Sequence, residues 1–173
     1  MTYTYVKPSA THTPTTGAVI PTANWGTKVN AAFDLLAPNS CLVNRVATQS
    51  IAGTTTTNIS FDTEYIDDNA FFAAGTATRI TFPRKGIYLV DVLVQFASNA
   101  NGYRLVTMPR GGGASDRGQY SPAINGAETD VAFSYLTAER AAGDYYEFAV
   151  WQNSGGSLNI TARVAVALIQ DRT

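Results

Sequence analysis

Histidine, cysteine and charge are the scarce commodities of this chain. His12 is the one histidine among 173 residues, and it sits near the N-terminus. Cys41 is the one cysteine. No intramolecular disulfide can form, and Cys41 reads as a small buried hydrophobe. Beyond the N-terminal segment a Ser–His or Cys–His nucleophile pair is excluded, as is a zinc site built on histidine or several thiolates. Charged residues make up 14% of the chain, against a usual share of about 25%. The net charge of −1 gives no electrostatic case for binding nucleic acid or an anionic membrane. No run approaches the roughly 18 apolar residues of a membrane span, so no membrane insertion is expected. The opening residues MTYTYVKPSATHT lack the apolar core of an export signal.

Hydrophobic residues, by contrast, reach 45%. So much apolar surface with so little charge implies extensive burial, part of it between chains. From Leu42 onward short apolar runs alternate with turn-forming clusters, the pattern of a β-sandwich. Ile80 to Phe82, the Pro83–Gly86 turn and Ile87 to Phe96 read as strand, turn, strand. Tyr88, Val90, Val92 and Val94 point one way. Ile87, Leu89, Asp91, Leu93 and Gln95 point the other. A strand whose second face meets another subunit has this character, and so does a plain solvent-facing sheet. Strands are also expected at Leu42–Gln49, Ile59–Tyr65, Tyr103–Met108, near 118–124 and 128–138, at Tyr145–Trp151, and from Leu158 to Ile169.

The spacing Phe61-x5-Asp67-x4-Phe72, followed by Ile80-x5-Gly86-x-Tyr88-x-Val90, resembles the signature of the C1q/TNF-like jelly-roll family. Ile80 and Val90 stand where that family carries aromatics, and the Phe72–Ile80 gap is one residue longer than its usual one. The stretch Ala142-Gly143-Asp144-Tyr145-Tyr146-Glu147-Phe148 is similar to the family's penultimate strand. The resemblance covers roughly Leu42 to Gln170. It implies an all-β jelly-roll sandwich that assembles as a homotrimer, with Tyr88, Phe148 or Trp151 lining the threefold axis.

The first forty residues differ in kind. Residues 2–22 are rich in Thr, Pro, Ser and Ala, with Pro8, Pro14 and Pro21 blocking helix. They read as an extended arm or a disordered tail. Tyr3, Tyr5, Val19 and Ile20 favour an arm that docks. The next stretch, ANWGTKVNAAFDLLA, reads as one short helix capped by Thr22 and ended by Pro38. Trp25, Val29, Phe33 and Leu36 form its apolar stripe. The stripe must pack on its own sandwich, in a bundle of copies, or on another protein. This Pro/Thr-rich lead and W-x3-V-x3-F-x2-L run is similar to the N-terminal attachment segments of some bacteriophage virion proteins. The chain is thus divided into an anchoring segment, 1–40, and a jelly-roll domain, 41–173.

Little chemistry is visible. Glu64, Asp67 and Asp68 offer oxygen ligands to a hard cation, or Asp67 simply bonds its own turn. The triple glycine at 111–113 lacks the Lys and helix of a phosphate loop and reads as a sheet-edge turn. Tyr103, Tyr120 and Trp151 are either core or a sugar-binding surface. No cofactor, metal or catalysis is expected. The functional expectation is a structural virion protein of a tailed bacteriophage, assembled in the host cytoplasm and bound to other virion proteins. As a capsid decoration or head fibre it would be held by its N-terminal arm. As a tail-fibre or baseplate tip it would bind host-surface glycans.

Overall fold

β5 (Gly86–Phe96) is the strand on which the fold is built, and the computed structural model, which describes residues 39–172, shows why. Its residues alternate without error: Tyr88, Val90, Val92, Val94 and Phe96 are fully buried, whereas Leu89, Asp91 and Leu93 face out. β5 pairs antiparallel with β11 (Leu158–Asp171) on one side and with β8 (Thr129–Leu136) on the other. β1 (Ser40–Ile51) and β3 (Thr63–Asp67) complete a five-stranded sheet in the order β3-β1-β11-β5-β8.

A second sheet faces it, of four strands in the order β2-β10-β6-β7. These are β2 (Thr57–Asn58), β6 (Tyr103–Pro109), β7 (Ser115–Pro122) and β10 (Ala149–Gln152). A two-stranded ribbon joins β4 (Arg79–Thr81) to β9 (Tyr145–Glu147). The expected all-β jelly-roll sandwich is therefore present. Several details differ from expectation. Ile59 to Tyr65 is not one strand: Ile59 and Phe61 are buried, but their amides donate to Phe148 O and Ala77 O across the end of the sandwich. Tyr145–Trp151 breaks at Phe148 into β9 and β10, which lie in different sheets.

Aromatic rings fill one end of the interior. Phe82 stacks tilted on Tyr88 at 4.4 Å, and its edge meets Tyr146 at 5.4 Å. Phe71 meets Tyr88 at 6.0 Å, and Phe61 bridges Phe72 and Phe148 at 6.4 and 5.9 Å. These are favourable edge and offset geometries. The rings make two contact groups, Phe71–Tyr88–Phe82–Tyr146 and Phe72–Phe61–Phe148, within one hydrophobic core. The glycine of the sequence signature has a steric cause: a Cβ on Gly86 would lie 2.5 Å from the Gln170 carbonyl oxygen and from Leu168 Cδ1, where β11 bulges against β5. The longer Phe72–Ile80 gap is taken up by a 3-10 turn over Ala74–Thr76.

Burial, helped by the Asp67, Glu64 and Asp68 carboxylates, pushes the Cys41 thiol up to about 12. Burial also raises Tyr88 and Tyr146 above the ordinary tyrosine value. In each case the folded state holds its proton more tightly than the unfolded chain. Their contribution is intact below the unfolded pKa values, about 8.5 for Cys and about 10 for Tyr, and is lost as pH rises. Thermal melts should show a constant midpoint up to about pH 8 and a progressive fall from about pH 9 to 11, with a shallower fall in Cys41→Ala. A midpoint unchanged through that window contradicts this reading.

Candidate assembly surface

The outward face of the five-stranded sheet is the most unusual surface of the described residues. Strand register sets its side chains in rows. One row runs Ser40, Ala167, Leu89, Leu136. The next runs Ile66, Leu42, Ala165, Asp91, Ser134. A third runs Thr63, Asn44, Arg163, Leu93, Ala132. A fourth holds Thr161, Gln95 and Asp130. Leu89, Leu93, Leu136 and Ile169 are 41, 37, 59 and 58% exposed. Alanines and leucines share these rows with Asp91, Ser134, Asn44, Arg163, Gln95 and Asp130, so the face sets large exposed apolar groups within a mixed surface. The Asp91 carboxylate is held by the Ser134 hydroxyl, which donates at 2.7 Å.

β1 bulges between Arg45 and Gln49, and the bulge opens a cleft of about 310 Å³ at the edge of this face. Arg45, Arg163, Asn44, Leu93, Gln95 and Thr161 are among its walls. Arg45 is paired with Asp62 at 3.3 Å, while its Nε is enclosed and meets no acceptor. Asn44 Oδ1 is likewise enclosed without a donor. Arg163 is exposed and makes no ion pair among the described residues.

The sequence-based candidates fall elsewhere. Tyr88 and Phe148 were expected near the threefold axis, but both are wholly enclosed in the core of the one chain and present no surface to a partner. They point inward because they belong to the ring groups of the core. Trp151 is half-buried on the outward face of the other sheet. Tyr3, Tyr5, Val19, Ile20, Trp25, Val29, Phe33 and Leu36 lie outside the described residues. Asp67 accepts from the Phe71 and Phe72 amides at 2.8 and 3.0 Å, and Asp68 accepts from the Ser40 hydroxyl at 2.7 Å. These carboxylates therefore brace turns. The triple glycine is the turn between β6 and β7, with Gly111 and Gly112 at positive φ, and Gly113 N donates to Arg110 O at 2.8 Å.

Trp151, Leu105 and Tyr120 stand side by side in one row on the outward face of the four-stranded sheet. Tyr103, one row along, meets Tyr120 edge-on at 6.4 Å.

Sequence reasoning missed the buried polar groups. Arg140, nearly enclosed, pairs with Asp116, and its Nε donates to the Tyr146 hydroxyl at 3.0 Å. The Tyr146 hydroxyl in turn donates to Asp116. Burial and that hydrogen bond raise the Tyr146 phenol, so it stays protonated as a donor. The cluster clips β7 to β9 and the loop before it. Arg104 is fully buried and donates to the backbone oxygens of Asn99, Asn101 and Tyr103, which ties down the turn after β5.

No protein-family model and no curated protein sequence matches the chain. Solved structures do. The globular domain of zebrafish complement 1qA protein is similar at a TM-score of 0.59 and 13% identity, covering 78% of this chain and 99% of that domain. Eiger TNF from S. frugiperda is similar at 0.55 and 10% identity, covering 79% and 96%. Murine APRIL is similar at 0.52 and 13% identity, covering 72% and 98%. The fold is that of C1q and TNF-family jelly-roll domains. At these identities the likeness defines the fold and nothing further.

Asp116→Ala leaves Arg140 enclosed and unpaired, and should cost about 3 kcal/mol of stability, read from urea denaturation. A loss below about 1 kcal/mol contradicts the clip.

Proposed function

We propose that this chain is a non-catalytic structural protein that works as a homotrimer, its copies joined through the outward face of the five-stranded sheet. The single observation that carries the reading is that face: Leu89, Leu93, Leu136 and Ile169 stand exposed on strands whose other side is already a closed core. A fully covered leucine gains about 1.5–3 kcal/mol over an exposed one, so association is the economical way to satisfy the face. The interior carboxylates are spent on turns, the Arg140 clip and surface ion pairs such as Lys85–Glu139 at 3.0 Å and Arg79–Glu147 at 3.6 Å.

Within that class the reading is a capsid decoration protein of a tailed bacteriophage, held on the particle by residues 1–40. The Pro/Thr-rich arm and its Trp25, Val29, Phe33, Leu36 stripe support attachment. No heptad or collagen-like repeat separates the arm from the jelly roll, which favours a knob held close to the head over a tail fibre. The test combines a variant and a truncation. Leu89→Arg should keep a folded spectrum while the mass falls to a single chain. Deleting residues 1–40 should abolish retention on particles, and labelled particles should be studded on the head. Label confined to the tail tip overturns the capsid placement, and retention of the truncated chain overturns the anchor.

A second reading has an observation of its own. The Trp151–Leu105–Tyr120 row with Tyr103 is an outward-facing aromatic surface, and a sugar ring stacks on such rings. That favours recognition of host-surface glycans by a tail-tip protein. A glycan array probed with the full chain decides it. Specific binding lost in Tyr120→Ala supports this reading, and an array without specific signal rejects it.

A further inference from the structure

We propose that the cleft at the β1 bulge is a socket for a carboxylate of a second copy of this chain, and that the carboxylate is Asp130. The proposal rests on the homotrimer reading above and adds to it the contact that sets the register between copies.

The outward face is electrically divided along its width. Its acid lies on one flank: Asp130 is exposed on the outward side of β8, the strand at the sheet's edge. Its base begins at the middle strand, as Arg163 on β11 and, in the cleft wall, Arg45 on β1. Neither Asp130 nor Arg163 makes an ion pair among the described residues. They cannot readily pair within the chain, because β5 stands between their strands and two strand spacings are already about 10 Å. The other acid on the face, Asp91, accepts from the neutral Ser134 hydroxyl and keeps its charge, one row from Arg163 on the adjacent strand. The other base, Arg45, is engaged by Asp62, so the unspent charge of the cleft is Arg163.

A cyclic assembly lays one flank of each copy against the opposite flank of the next. Leu89 and Leu136 share one row and Leu93 lies two rows further along the strands, so an axis along the strands covers all three. Rotation about such an axis leaves height along the strands unchanged. Asp130 lies in the row of Gln95 and Thr161, and both of those line the cleft. The acid of one copy therefore arrives at the level of the socket in its neighbour, once at every interface. Apolar contact drives association, and this pair selects one register among the slipped alternatives a smooth apolar face would allow.

Charge reversal of the full chain tests it, with mass measured by sedimentation over a dilution series. Arg163→Glu and Asp130→Arg should each weaken assembly about tenfold or more. The double variant R163E/D130R should recover most of it. Both sites are exposed, so a folded far-UV spectrum is expected throughout. Arg163→Gln, which adds no repulsion, should weaken assembly less than Arg163→Glu and should reduce its salt dependence. Single reversals that assemble like the wild type, or a double variant no better than the singles, overturn the socket while leaving the homotrimer standing. A wild-type chain that remains single overturns both.

Discussion

The antiparallel ladder between β5 and β11 governs this molecule. It pairs Gly86 through Phe96 with Ile160 through Asp171 and so assigns every side chain of the two central strands to one face or the other. A slip of one residue would exchange the faces. In the observed register Tyr88, Val90, Val92 and Val94 interlock with Ile160, Val164 and Val166 inside. The same register leaves Leu89, Leu93, Ala165 and Ala167 outside. The core and the candidate assembly surface are two consequences of one pairing.

Much of this was legible in the sequence because strand alternation is local. The inward and outward sets of β5 and β11 can be read two residues at a time. The spaced aromatics and Gly86 could be matched to a jelly roll without any knowledge of their contacts. Physically they are the ring groups of the core and the one place where β11 crowds the backbone of β5. The same pattern offers Tyr88, Phe148 or Trp151 as lining residues of a threefold axis. Tyr88 and Phe148 stand out in the pattern because the fold needs them inside, and a residue consumed by the core has no side left for a partner. The outward leucines of β5 can be read from its alternation as a second, partly apolar face, but only strand order places them in rows with the alanines of β11.

What could not be read is what joins segments far apart in the chain. Arg140, Asp116 and Tyr146 come from a loop and two strands of different sheets, and no spacing rule links them. Arg104 shares the inward phase of Val106 and Met108, and no spacing shows that three backbone oxygens of its own turn satisfy it there. The split of Tyr145–Trp151 at Phe148 belongs to the same class, since a strand that leaves one sheet for another still alternates in sequence. The β1 bulge that shapes the cleft depends on its pairing with β11 and leaves no local trace.

A fold shared with complement and TNF-like domains thus carries a core of common logic and a surface of its own. The signature residues account for the first, and the rows of the five-stranded sheet account for the second. The central claim is that this outward face is covered by further copies of the same chain. The most direct measurement is the light-scattering mass of the intact protein across a wide range of dilution. The account predicts a mass of three chains that persists on dilution, and a steady mass of one chain, 18.5 kDa, would contradict it.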